Sequence, residues 1–171
     1  MKKYIKIFIA VLFLGLLGFM IYKVIVKTQE KKQTEQFIQT LPDFELQKTD
    51  GSLLTKSELK PDTETVFVFF NSTCDFCKYE AQSISDSIHL FKNYQLVFVS
   101  DEPIETIKLF SETYKLNNYA NIDFVFDING RFSFSVGVNT NPYLLIYNKK
   151  AELITRHKGQ MKPENIIKAL Q

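Results

Sequence analysis

Apolar and polar positions divide the chain into two unlike stretches. Residues Ile7 to Tyr22 (IFIAVLFLGLLGFMIY) carry no charge. A buried core helix would show polar residues along one face, and this run has none. It reads instead as a membrane anchor over 7–26, about 20 residues long once Lys6 and Lys23 snorkel. A cleaved signal peptide would have a shorter apolar core and a small-x-small cleavage site, whereas Lys23-Val24-Ile25-Val26-Lys27 follows here. Residues 1–6 form a short tail. Residues 27–36 (KTQEKKQTEQ) are polar throughout and read as a tether or helical stalk.

From residue 37 the pattern changes to short elements. Phe44–Gln47 and Ser52–Thr55 flank Asp50-Gly51, a hairpin signal. Thr65–Phe70 (TVFVFF) is nearly all apolar, as in a strand covered on both faces. After Asn71-Ser72-Thr73, the residues Cys77, Ala81, Ile84, Ile88 and Phe91 recur at helical spacing. Leu96–Val99 predicts a second buried strand. Pro103 suits a first helical turn, and Ile104, Ile107, Phe110 and Tyr114 continue with helical spacing. Ile122–Phe126 predicts a third strand, closed by Asp127-Ile128-Asn129-Gly130. Tyr143–Tyr147 and Leu153–His157 predict a hairpin, and Lys162–Leu170 an amphipathic helix. Strands alternating with helices, then a hairpin and a helix, imply an α/β fold with a mixed sheet over 37–171.

Composition narrows the function. The chain has 171 residues, 45% of them hydrophobic, so a packed core is expected and disorder is excluded. Twenty-one basic residues against nineteen acidic ones leave a formal charge of +2, which argues against nucleic acid as a partner. There are two cysteines, too few for a disulfide-stapled mini-protein. The histidines, His89 and His157, lack the paired spacing that would complete a zinc site with the cysteines, so no metal is expected.

Both cysteines fall in Cys74-Asp75-Phe76-Cys77, where a buried strand passes into a helix. Cysteines at i and i+3 of a first turn can close a disulfide with little backbone change. Cys74 lies at the helix N-terminus, where unpaired amides and the macrodipole favour a thiolate. Cys77 lies one turn further in, on the apolar face. An attacking thiol and a deeper resolving thiol are the parts that thiol–disulfide exchange requires.

These residues carry a resemblance. The stretch from Leu41 to Leu170 resembles the membrane-anchored, thioredoxin-like thiol–disulfide oxidoreductases of the ResA/TlpA type, within the redoxin (AhpC/TSA-related) group. The matching pieces are LPDFELQKTDGSLLTKSEL, VFVFFNSTCDFCKYE and VGVNTNPYLLIYNKKAELITRHKG. The resemblance implies a thioredoxin-like fold whose only redox group is the Cys74–Cys77 disulfide, with no bound cofactor. It implies a cis-proline facing that disulfide, at Pro142 after Asn141, and an acid after the motif, at Glu80 (C-x-x-C-x-x-E), to relay a proton. The alternative for Glu80 is a solvated helix residue beside Ala81. The chain departs from the family at Phe76, where proline is common, and at Thr73, where tryptophan or a similar residue is common.

Competing readings fail on residues. A peroxiredoxin needs Pro-x-x-x-Thr-x-x-Cys, but Phe67 and Asn71 stand at those positions. A copper module of the Sco kind needs C-x-x-x-C and a histidine where Asn141-Pro142 stands. A thioredoxin-fold binding or metal-handling module without redox turnover stays open, though the retained cysteine pair argues against it. Asp75 sets a negative charge beside Cys74 and opposes its thiolate, which favours a reductase, and Phe76 completes the motif that tunes the pair. A reductase outside the cytoplasm would act on protein disulfides, with apocytochrome c a candidate by resemblance. It would be recharged by a membrane thiol electron donor.

Overall fold

The structure is a computed structural model. It describes residues 2–171, and of residues 2 and 5–11 the backbone alone; Met1, part of the expected tail, lies outside the described residues. The chain divides into two units, Met1–Gln36 and Phe37–Gln171.

In the first unit a single helix, α1 (Lys2–Phe37), continues through the polar residues after 26 without a break. Within its stretch Leu12–Phe37 an 18-residue window reaches a mean hydropathy of 1.4, long and apolar enough to cross a membrane, and none of that window is buried.

The second unit is built on seven strands: β1 (Glu45–Lys48), β2 (Leu53–Thr55), β3 (Thr65–Phe69), β4 (Gln95–Ser100), β5 (Ile122–Phe126), β6 (Tyr143–Tyr147) and β7 (Leu153–Lys158). Their order in the sheet is β2-β1-β5-β4-β3-β6-β7. β3, β4 and β5 are parallel, and the flanking pairings are antiparallel. The helices are α2 (Asp75–Asp86), α3 (Ile104–Thr113), α4 (Arg131–Ser135) and α5 (Pro163–Leu170).

The period of two in the apolar strands creates two cores. Val66 and Val68 of β3, Leu96 and Phe98 of β4, and Leu144 and Ile146 of β6 face α2, α3 and α5. Their neighbours Phe67, Phe69, Val97, Val99, Leu145 and Tyr147 face the opposite side, under the 38–44 segment and α4. Both parallel crossovers step the same way along the sheet, so one handedness sets α2 and α3 on the same face. Aromatic pairs fill each layer: Phe98 and Phe124 stack at 4.6 Å on one side, and Phe44 meets Phe67 edge-on at 5.5 Å on the other.

Two elements differ from expectation. The helical face that includes Cys77 and Ile84 breaks at Ser87, whose amide bonds both Ser83 and Ile84 carbonyls, and a tighter 3-10 turn (Ile88–Phe91) carries Phe91 into the core. The segment after Asp127 contains the short helix α4. Its first amides are satisfied by the buried Asp127 carboxylate, which accepts from Phe132 N–H at 3.0 Å and from Ser133 N–H at 2.8 Å. Local spacing hides this cap, because Asn129 and Gly130 intervene in left-handed conformations.

Candidate active site

Register brings the site together. Phe69 pairs with Val99 on one side and Tyr143 on the other. The residues after β3, those after β4 and those before β6 therefore emerge at one end of the sheet. In open α/β sheets the carboxyl ends of parallel strands are where ligands meet the fold.

The turn after β3 is shaped by its own side chains. Asn71 Oδ1 accepts from Thr73 N–H at 3.0 Å and Thr73 Oγ1 at 2.6 Å, and the Asn71 carbonyl accepts from Cys74 N–H at 3.1 Å. The chain then enters α2 with Cys74 as the capping residue in extended conformation, and no side chain caps the first turn. Both cysteines are free thiols. Cys74 is half-buried, and its thiol donates to the Asn141 carbonyl at 3.6 Å. The Asn141–Pro142 peptide bond is cis, Asn141 is exposed and Pro142 is buried.

Cys77 is buried among Val68, Ala81 and Ile84. Burial pushes its thiol up to about 12, and the adjacent Cys74 and Glu80 add to the rise. Glu80 is 0% exposed, so the solvated alternative does not hold. Its Oε2 accepts from Met161 N–H at 2.8 Å, while Oε1 has no hydrogen-bond partner. Burial raises this carboxyl from 4.5 to about 7, against the opposing pull of the Met161 amide. Cys74 and Asn141 thus meet at the surface, while Cys77 and Glu80 share the buried side of α2.

The other two motif residues point outward. Asp75 pairs with Lys78 at 2.9 Å, so a cation partly offsets the charge that the sequence places beside Cys74. Phe76 is 63% exposed, an apolar ring next to the reactive pair. Sequence reading missed Lys78, although its i,i+3 spacing from Asp75 was visible. It also missed Phe134, on the unforeseen α4. Phe134 is 86% exposed and lines a cleft of about 410 Å³ with Phe69, Asp101, Ser133, Asn139 and Asn141. Among the described residues no cluster of three His, Cys, Asp or Glu could hold a metal ion.

A mixed sheet of this order, with Cys-x-x-Cys opening the helix after β3, its first parallel strand in sequence, and a cis-proline loop opposite, defines a thioredoxin-like protein. Within that fold the chain belongs to the AhpC/TSA family, whose sequence profile matches residues 38–168. Three solved structures illustrate the likeness. A secreted disulfide oxidoreductase of Mycobacterium tuberculosis, homologous to E. coli DsbE, is 18% identical with a TM-score of 0.63, over 74% of this chain and 92% of that one. Peroxidoxin BcpB of the same organism is 18% identical with a TM-score of 0.66, over 76% and 92%. The pneumococcal exposed lipoprotein thioredoxin Etrx1 of Streptococcus pneumoniae TIGR4 is 23% identical with a TM-score of 0.59, over 74% and 96%. At these identities the likeness is one of fold. No curated protein matches the chain in sequence.

Proposed function

We propose that the protein is a membrane-tethered thiol–disulfide oxidoreductase that reduces disulfides in proteins outside the cytoplasm. The observation that carries this reading is the inequality of the two thiols: one lies at a helix start against an exposed carbonyl, and the other is buried beside a carboxyl group. The Cys74 thiolate attacks a substrate disulfide, forms a mixed disulfide and expels one substrate thiolate. The Glu80 carboxylate then takes the Cys77 proton. Cys77 attacks the Cys74 sulfur, the second substrate thiol leaves, and the enzyme keeps the Cys74–Cys77 disulfide. Two electrons pass to the substrate, and no bound cofactor is needed. Asn141 and Pro142 offer main-chain groups to an extended substrate segment beside Cys74.

Residues 7–26 serve as the anchor and 27–36 as the stalk, with the redox unit on the extracytoplasmic side. A donor dithiol in the membrane returns the electrons. Apocytochrome c fits as a substrate by family resemblance. Titration against glutathione buffers tests the direction: a potential below about −180 mV is expected, toward thioredoxin's roughly −270 mV, and a value above that limit reverses it. N-terminal sequencing of the mature protein checks the anchor. An intact N-terminus in the membrane fraction is expected, and a start near residue 27 would overturn it.

A further inference from the structure

Glu102, just beyond β4, is engaged with the turn that delivers Cys74. Ser72 N–H donates to Glu102 Oε2 at 2.7 Å, and Ser72 Oγ donates to Oε1 at 2.7 Å. Ser100 Oγ donates to Oε2 at 3.2 Å and accepts from Glu102 N–H at 3.3 Å, which ties the carboxylate to the buried last residue of β4. Three donors therefore converge on one half-buried carboxylate. Hydrogen bonds to an ionised acceptor are about twice as strong as neutral ones.

The internal bonds of Asn71 give the turn its shape but do not fix its place. The last main-chain link from this segment to β4 is Phe70 N–H to the Val99 carbonyl, at 3.0 Å. Beyond it, among the described residues, the bonds that tie the turn to β4 are those of Glu102. The geometry points to Glu102 as a positioning residue: through Ser72 it holds the Cys74 sulfur in register with the Asn141–Pro142 ledge. This rests on the oxidoreductase reading. The residue touches neither sulfur nor substrate in this role; it decides where the sulfur stands when an extended disulfide segment lies on the ledge. A small reagent, which brings no ledge contacts, does not need that register. A misplacement of about 1 Å can cost up to roughly a hundredfold in an oriented reaction.

The test uses the full chain in detergent, in a Cys77→Ala background that isolates Cys74. Two rates are compared: mixed-disulfide formation with insulin and alkylation by iodoacetamide. Glu102→Ala should slow the first about tenfold and leave the second within about twofold. Glu102→Gln should recover part of the loss, because its carboxamide oxygen still accepts from Ser72 N–H. Ser72→Ala should cost about threefold alone and nothing further in the Glu102→Ala background, as expected of two residues acting through one contact. If Glu102→Ala does not accumulate, the other two variants carry the same comparison. Unchanged mixed-disulfide formation, equal loss of both rates, or an independent effect of Ser72→Ala each overturns the assignment. Loss of mixed-disulfide formation in the Cys77→Ala parent would instead refute the oxidoreductase reading itself.

Discussion

The two sulfurs of the motif lie three residues apart and occupy opposite environments. Cys74 caps the helix, is half-buried, and its thiol donates to an exposed main-chain carbonyl. Cys77 is buried in the same core cluster as Val68, Ala81 and Ile84, with Glu80 as the polar group on its side of the helix. The difference comes from helix geometry alone: one turn carries a side chain from the open end of the sheet into the layer beneath α2. Chemical asymmetry in a symmetric-looking motif therefore needs no special ligands. It needs a helix that starts at the surface and packs immediately afterward.

The largest effects should come from removing each sulfur in turn. Cys77→Ala should accumulate mixed disulfides on non-reducing gels, and Cys74→Ala should form none. Equal trapping by both would erase the comparison, and trapping by neither, with no turnover by wild type, would favour a redox-silent module.

The next effect isolates the deeper sulfur. Resolution by Cys77 should rise with pH through about 7 as Glu80 ionises. Glu80→Gln should flatten that profile and slow resolution by roughly a hundredfold, the lower end of general-base effects. Rapid-quench measurement of mixed-disulfide decay at pH 6 to 9 reads this directly, and an unchanged profile would exclude Glu80 as the base. The same group has a stability signature. A carboxyl raised from 4.5 to about 7 in the fold stabilises it fully below 4.5 and loses that contribution as pH climbs through 7. Glu80→Gln should therefore raise stability at pH 8 by about 1–3 kcal/mol, measured by denaturant unfolding, and have little effect at pH 4.

The smallest expected effect concerns the exposed side. Asp75→Asn should shift the potential upward and Lys78→Met downward, each by less than about 30 mV, because both groups are solvated. Shifts of the opposite sign would show that this ion pair does not tune Cys74.

Much of this arrangement was legible in advance. The nearly all-apolar runs TVFVFF and LVFV announced buried strands, YLLIY announced the first strand of a hairpin, and Cys77, Ala81 and Ile84 announced the covered face of α2. What stayed hidden was nonlocal or unperiodic. Ser72 and Glu102 are thirty residues apart and meet only because β3 and β4 are parallel neighbours. The five residues of α4 are too few to show a period, and their cap comes from Asp127 across a left-handed turn. Burial of Glu80 was not read from the sequence either, since its partner, the Met161 amide, is eighty-one residues away in the chain.

The sheet ends in two different ways. On one side β2 is only three residues long and gives way at once to a 3-10 turn (Lys56–Glu58). On the other, β7 carries Arg156, His157 and Lys158 along its run. A short border and a basic border are both poor templates for a foreign strand, so neither invites fibrillar growth or domain exchange. The chain thus keeps its own outer strands unattractive to other chains, and under the proposed function the Asn141 ledge is left as the place where an extended substrate segment would dock.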